Sequence, residues 1–122
     1  IPIALDEELI GINSFKEKQD LIETIQPQFL IFKPTLIGGF SSCLEWMELA
    51  AKHKINWWMT SALESNIGLN AISQFTAQFP VTIPHGLGTG QLYHNNLQSP
   101  LIIRQGNLFY DPELPWDLAL IS

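Results

Sequence analysis

Polar and charged residues stand where four apolar runs of the sequence end: Asp6 and Glu7 after PIAL, Lys33 after FLIF, Ser61 after INWWMT, and His85 after VTIP. Glu64 and Ser65 lie just beyond Ser61, and Gly86, Gly88 and Gly90 just beyond His85. Adjacent carboxylates such as Asp6 and Glu7 are hard oxygen donors of the kind Mg²⁺ takes while it keeps several waters. An aspartate at a strand end can equally do no more than open a turn or cap a helix. A lysine with an apolar stem behind it can have its pKa lowered and act as acid or base, or stay a cation beside a negatively charged intermediate. The plainer alternative is a lysine that snorkels into solvent. Pro34 commits the chain to leave the strand and holds Lys33 extended, which favours the site reading slightly. The three glycines let backbone N–H groups approach an anion such as a carboxylate or phosphate, although their spacing is neither a P-loop nor a dinucleotide fingerprint and suits an irregular loop equally. His85 and His94 lack zinc-ligand spacing, and no G-x-S-x-G elbow is present. Cys43 has no CxxC partner and reads as a small core-facing residue on a helix.

These residues need elements to hold them on one side of a fold. Pro2 to Asp6, Phe29 to Lys33, Ile55 to Ser61 and Val81 to His85 are short, apolar, branched or aromatic runs that predict buried strands. Between them lie amphipathic helices. Ser14 with Glu17 and Ser42 with Glu45 stand in S-x-x-E spacing, which predicts capping boxes at two helix starts. A third helix would carry Ile72, Phe75 and Phe79 on its core face and stop before Pro80. Successive strand ends at Asp6, Lys33, Ser61 and His85 are 27, 28 and 24 residues apart. Such a β-α period implies parallel strands with right-handed crossovers, the repeat of a (β/α) barrel whose full eight units take roughly 250 residues. The chain holds about half of one. The rival doubly wound sheet should carry a glycine-rich turn after its first strand, and DEELIGIN has none. Parallel strands open their carboxyl ends on one face, where barrel enzymes keep their chemistry. After the fourth run the pattern changes, and LIIRQGNLFYDPELPWDL predicts a hairpin turning at Gln105 to Asn107 with a Pro-punctuated tail. Residues 1–97 are thus expected to form the half barrel, and residues 98–122 a hairpin and tail that pack on another domain or a partner.

Composition narrows the function classes. The chain has 122 residues, 46% of them hydrophobic, enough for a core. Its net charge of −6, with six scattered Lys and Arg, opposes a nucleic-acid surface. No apolar run spans a bilayer and the amino end has no signal-peptide pattern, so neither a membrane nor a nucleic-acid partner is expected, and the location is expected to be cytoplasmic. A single cysteine fits a reducing compartment.

Taken together, ALDE at 4–7, FKPTLIGG at 32–39, TSALESNIGL at 60–69 and PHGLGTG at 84–90 resemble the last four strands of an enolase-superfamily barrel, and within it the o-succinylbenzoate synthases of menaquinone biosynthesis. The match runs over nearly the whole chain. The resemblance implies an α/β partial barrel, family strands five to eight, in a Mg²⁺-dependent carbon–oxygen lyase acting on a small carboxylate substrate. Asp6 would be the third carboxylate ligand of the metal, and Lys33 the sixth-strand lysine. In the reaction that the resemblance implies, a base would remove the proton alpha to a carboxylate of a cyclohexadiene substrate and hydroxide would leave as water, with Lys33 facing the ring as a cation and Mg²⁺ supplying charge stabilisation for the enediolate when bound. Ser61, Ser65 and the backbone near Gly86 would hold the succinyl portion. N-succinylamino-acid racemases and dipeptide epimerases share the pattern, with the same lysine as second acid/base, and a non-catalytic half-barrel module is the third reading.

The family's K-x-K lysine base, its first two metal ligands and its capping domain lie upstream of anything in the sequence. The 122-residue chain, which begins inside a strand and so reads as a cut piece, is therefore expected to be inactive and metal-poor alone. Its open strand edges and uncovered interior lead us to expect self-association, as a dimer closing an eight-stranded barrel, or pairing with the missing amino-terminal half.

Overall fold

In the computed structural model, which describes residues 1–119 and 121–122, three short strands pair in parallel in chain order. They are β1 (Ala4–Leu5), β2 (Phe29–Phe32) and β3 (Asn56–Met59). Their registers, Ala4 opposite Phe29 and Phe29 opposite Asn56, keep the three carboxyl ends at one edge of the sheet. Each strand is followed along the chain by a helix: α1 (Phe15–Ile25), α2 (Gly39–His53) and α3 (Asn66–Thr76). An antiparallel hairpin of β4 (Leu101–Arg104) and β5 (Asn107–Tyr110) closes the order. The parallel, helix-connected α/β order expected from the repeat is the one adopted. The chain forms two compact units, residues 1–62 with 81–85 and residues 63–80 with 86–122.

In the first unit, burial along β2 alternates. Leu30 and Phe32 are fully buried, as are Leu5 beside Leu30 and Met59 beside Phe32, so one face of the sheet belongs to the core. Phe29 and Ile31, on the other face with Trp58, are only half-buried. The strand is therefore fully buried on one face alone, because the second face of a barrel strand is covered only by a filled barrel interior.

Helix α1 opens on the predicted capping box. Ser14 Oγ accepts the Glu17 N–H at 3.2 Å, and the Glu17 carboxylate accepts the Ser14 N–H at 3.0 Å. The second S-x-x-E has another task. Helix α2 starts earlier, at Gly39, where Gly38 and Gly39 take left-handed φ values of 98° and 79° that side chains disfavour. Ser42 and Glu45 lie inside that helix and receive Lys18 of α1, whose Nζ stands 2.6 Å from Ser42 Oγ and 2.7 Å from Glu45 Oε2. Lys18 is 0% exposed, and its ammonium lies 5.5 Å from the Trp46 ring centroid. The helix pair is thus joined by a desolvated lysine, which the amphipathic pattern of α1 did not disclose. Cys43 is buried on α2 as expected, and burial pushes its thiol up to about 12, out of the reactive range.

The fourth expected strand is a correction. Val81–His85 carries no strand, and Val81, Thr82 and Pro84 are exposed. Pro84 removes a ladder donor from this run of five residues and Pro80 stands immediately before it, which an interior strand tolerates poorly. In the second unit α3 ends at Thr76, short of the expected stop, and Phe79 packs edge-on against Phe75 at 5.2 Å from beyond the helix. The hairpin turns on Gln105 and Gly106, with φ values of 50° and 76°, a two-residue turn whose twist matches its strands.

Because Glu45 keeps 42% of its side chain exposed, water softens the loss of the pair. Glu45→Ala should cost about 1–3 kcal/mol, below the roughly 3–5 kcal/mol of a fully buried pair, whereas Lys18→Met should be close to neutral. Urea-denaturation midpoints check this, and the double variant should recover most of the Glu45→Ala loss; equal losses in both single variants would refute the assignment.

Candidate active site

Asp6 follows β1 directly and Lys33 follows β2 directly, so the parallel register delivers both side chains to the carboxyl edge of the sheet. Lys33 Nζ donates to Asp6 Oδ2 at 2.9 Å and lies 3.4 Å from Glu7 Oε1. The lysine side chain is 17% exposed, against 35% for Asp6 and 75% for Glu7. A short 3₁₀ turn, Glu7–Leu9, follows Asp6 and buries Leu9, which ties the backbone beside the carboxylates to the core. The side chain of Asp6 makes no cap bond to that turn, so the turn-opening role is not realised by its carboxylate.

The hydrogen bond to Asp6 holds the Lys33 ammonium above the ordinary lysine value, outweighing the burial that pulls it down; the charge of Asp6 and the contact with Glu7 reinforce it. A lowered lysine pKa was one of the two chemistries open to the sequence. The contact with Asp6 favours the charged form instead.

The second oxygen of Asp6 is the outstanding feature. Oδ1 is buried and has no hydrogen-bond partner, a costly state for a carboxylate oxygen. Such an oxygen suits one position in the shell of a hard cation, and Asp6 fits Mg²⁺ as a single ligand. Among the described residues no group of three His, Cys, Asp or Glu side chains is placed to hold a metal.

The other expected site residues are distributed between the units. Ser61 is buried in the first, two residues past β3. Ser65 and Gly86 belong to the second: Ser65 is exposed at the N-cap of α3 with no side-chain cap bond, and Gly86 is half-buried at the head of the glycine-rich loop. Of the glycines read as anion contacts, Gly90 has a packing reason instead. A Cβ there would overlap the Asn66 carboxamide oxygen and stand 2.9 Å from Leu69 Cδ2. His85 is an anchor: Nδ1 accepts the Met59 N–H at 3.0 Å, the ring stacks on Trp57 at 5.8 Å, and burial lowers its pKa. An accepting Nδ1 puts the ring proton on Nε2 in the neutral form. The residues missed at the sequence level are Asn66 and Asn96, which bond across 30 positions with no spacing motif to announce them.

No family model matches the chain. It is 52% identical over 108 residues to the o-succinylbenzoate synthase of Desulfotalea psychrophila, covering 88% of this chain and 29% of that protein. The crystal structure of MenC from Desulfotalea psychrophila is similar at a TM-score of 0.84 and 52% identity, over 88% of this chain and 30% of that one. A crystal structure from Enterococcus faecalis, an unknown member of the enolase superfamily, has a TM-score of 0.74 at 23% identity, over 95% of this chain and 30% of that one, and shares the fold. The chain spans less than a third of the length of the curated relatives it matches.

A lysine whose pKa is raised on folding adds stability that is complete below its unfolded value and vanishes as pH climbs through the folded value. The stability gap between the unaltered chain and Lys33→Met should stay level from about pH 6 to 9 and close above the ordinary lysine value of 10.5. Chemical denaturation across that range measures it; a gap that already closes near pH 8 would mean a depressed lysine.

Proposed function

Because the chain belongs to the o-succinylbenzoate synthases of the enolase superfamily, we propose that it is the carboxyl-terminal barrel portion of a longer, Mg²⁺-dependent synthase that dehydrates a cyclohexadiene carboxylate. The observation that carries the reading is the Lys33–Asp6 contact at the carboxyl ends of parallel strands, with Asp6 Oδ1 left bare beside it. Lys33 is the cation that faces the negative charge developing alpha to the substrate carboxylate, and a preorganised charge of this kind lowers the barrier because it acts on charge absent from the ground state. Asp6 orients that ammonium through Oδ2 and offers Oδ1 to the metal. Bound Mg²⁺ would supply further positive charge at the substrate carboxylate. Ser61, Ser65 and the backbone at Gly86 hold the succinyl portion.

In the full-length protein Lys33→Ala should lower kcat for o-succinylbenzoate formation by a factor on the order of 10³, and Asp6→Asn should lower it while weakening Mg²⁺ dependence. Product appearance followed by ultraviolet absorbance tests both, with proton exchange on an N-succinylamino acid or a dipeptide run in parallel. Turnover of the latter substrates alone would replace the synthase reading with the racemase or epimerase one. The isolated 122-residue chain should show no turnover.

The half-buried Phe29, Ile31 and Trp58 face, together with the free edge of β1 in the described sheet, supports association with a second copy or with the amino-terminal part of the protein. Sedimentation of the isolated chain at micromolar concentration should give dimers or larger species; a stable monomer would contradict this.

A further inference from the structure

The four hydrogen-bonding positions of the Asn96 side chain are all used. Its Oδ1 accepts the N–H of Asn66 at 2.9 Å and of Leu97 at 2.9 Å, and its Nδ2 donates to Gly90 O at 2.7 Å and to Asn66 Oδ1 at 3.2 Å. Asn66 Nδ2 returns a bond to Leu97 O. Asn66 is the first residue of α3, so its N–H is one of the helix amides with no partner inside the helix. A remote asparagine therefore takes that amide. Ser65, the residue at the N-cap, has the extended backbone of a cap (φ −61°, ψ 168°) yet makes no cap bond. A serine there ordinarily spends its hydroxyl on the first turn. Here the hydroxyl is exposed and uncommitted.

The same carboxamide seizes the glycine-rich loop. Gly90 comes so close to Asn66 that no side chain fits between loop and helix, and Leu69, Leu87, Ile103 and Leu108 surround the small cavity of about 60 Å³ left behind them. We propose that Asn96 is a positioning residue for the succinyl end of the site: it clamps the Gly86–Gly90 loop on the first turn of α3, beside the uncapped Ser65 hydroxyl. The inference rests on the reading of Ser65 and Gly86 as substrate contacts. Asn96 acts through the loop backbone and does not itself touch the substrate.

The test uses the full-length protein with three variants, assayed for o-succinylbenzoate formation alongside thermal unfolding. Asn96→Ala removes the whole clamp. Asn96→Asp keeps an acceptor for the Asn66 and Leu97 amides but loses both donations, including that to Gly90 O. Ser65→Ala tests the underlying reading by itself. Both Asn96 variants are expected to raise KM about tenfold with kcat within about threefold of the unaltered protein, and hydrogen exchange at the Asn66 amide should speed up only in Asn96→Ala. An unchanged KM in Asn96→Asp, while Ser65→Ala raises KM, overturns the clamp and leaves the substrate reading standing. An unchanged KM in Ser65→Ala overturns that reading first. Parallel loss of kcat and folded protein in both Asn96 variants, or failure of both to fold, makes Asn96 a folding residue and overturns the proposal as well.

Discussion

Parallel register is the constraint on which the candidate site depends. Asp6 and Lys33 are 27 residues apart in sequence and 2.9 Å apart in space, and no local feature of either segment joins them. What joins them is the pairing of Leu5 with Leu30, which leaves each charged residue just past the end of its strand on the same edge. A one-residue slip would turn Leu30 and Phe32 out of the core and carry Lys33 to the opposite face. The apolar face that fixes the register is therefore also what fixes the distance between the charges.

Two lysines in the first unit show how the same side chain is put to different ends. Lys18 is sealed between α1 and α2, with Ser42, Glu45 and the Trp46 ring around its ammonium. Its partners accept from it and leave no approach for a ligand. Lys33 has a comparably apolar stem, but its ammonium reaches the edge of the sheet and meets carboxylates that stay partly open to solvent. Burial alone would single out Lys18, whose surroundings are closed, over Lys33. The position of Lys33 at a strand end is the more informative property.

The repeat of apolar run and amphipathic helix was legible because it follows from periodicity, and so were Asp6 and Lys33, because each terminates such a run. The Ser14 box was legible since both of its bonds are local. The Ser42–Glu45 pair has identical spacing, yet its partner is Lys18, 24 residues away from Ser42, and no rule of local spacing distinguishes a cap from a tertiary acceptor. The run from Val81 to His85 misled for a related reason: its composition suits a strand, while Pro84 within it denies it a donor that a ladder needs. Gly90 and the two asparagines belong to the same class of long-range contacts. Its glycine was visible, but the reason for it, the approach of Asn66, exists only in the folded chain.

The carboxylate of Asp6 has two oxygens, and the fold treats them differently. Oδ2 is engaged by Lys33, while Oδ1 is buried without a partner. Retaining that orientation opposes a desolvation penalty that hydrogen bonding to Oδ2 offsets only in part. Under the proposed reading the imbalance has a use. A carboxylate held by an ammonium on one side can carry a second cation on the other, and the two positive charges then face the same developing anion from fixed positions. Had Lys33 been neutral, its bond to Asp6 would have lost its charge assistance and the site its cation. The Lys33 bond and the bare oxygen are in this sense the two sides of one carboxylate.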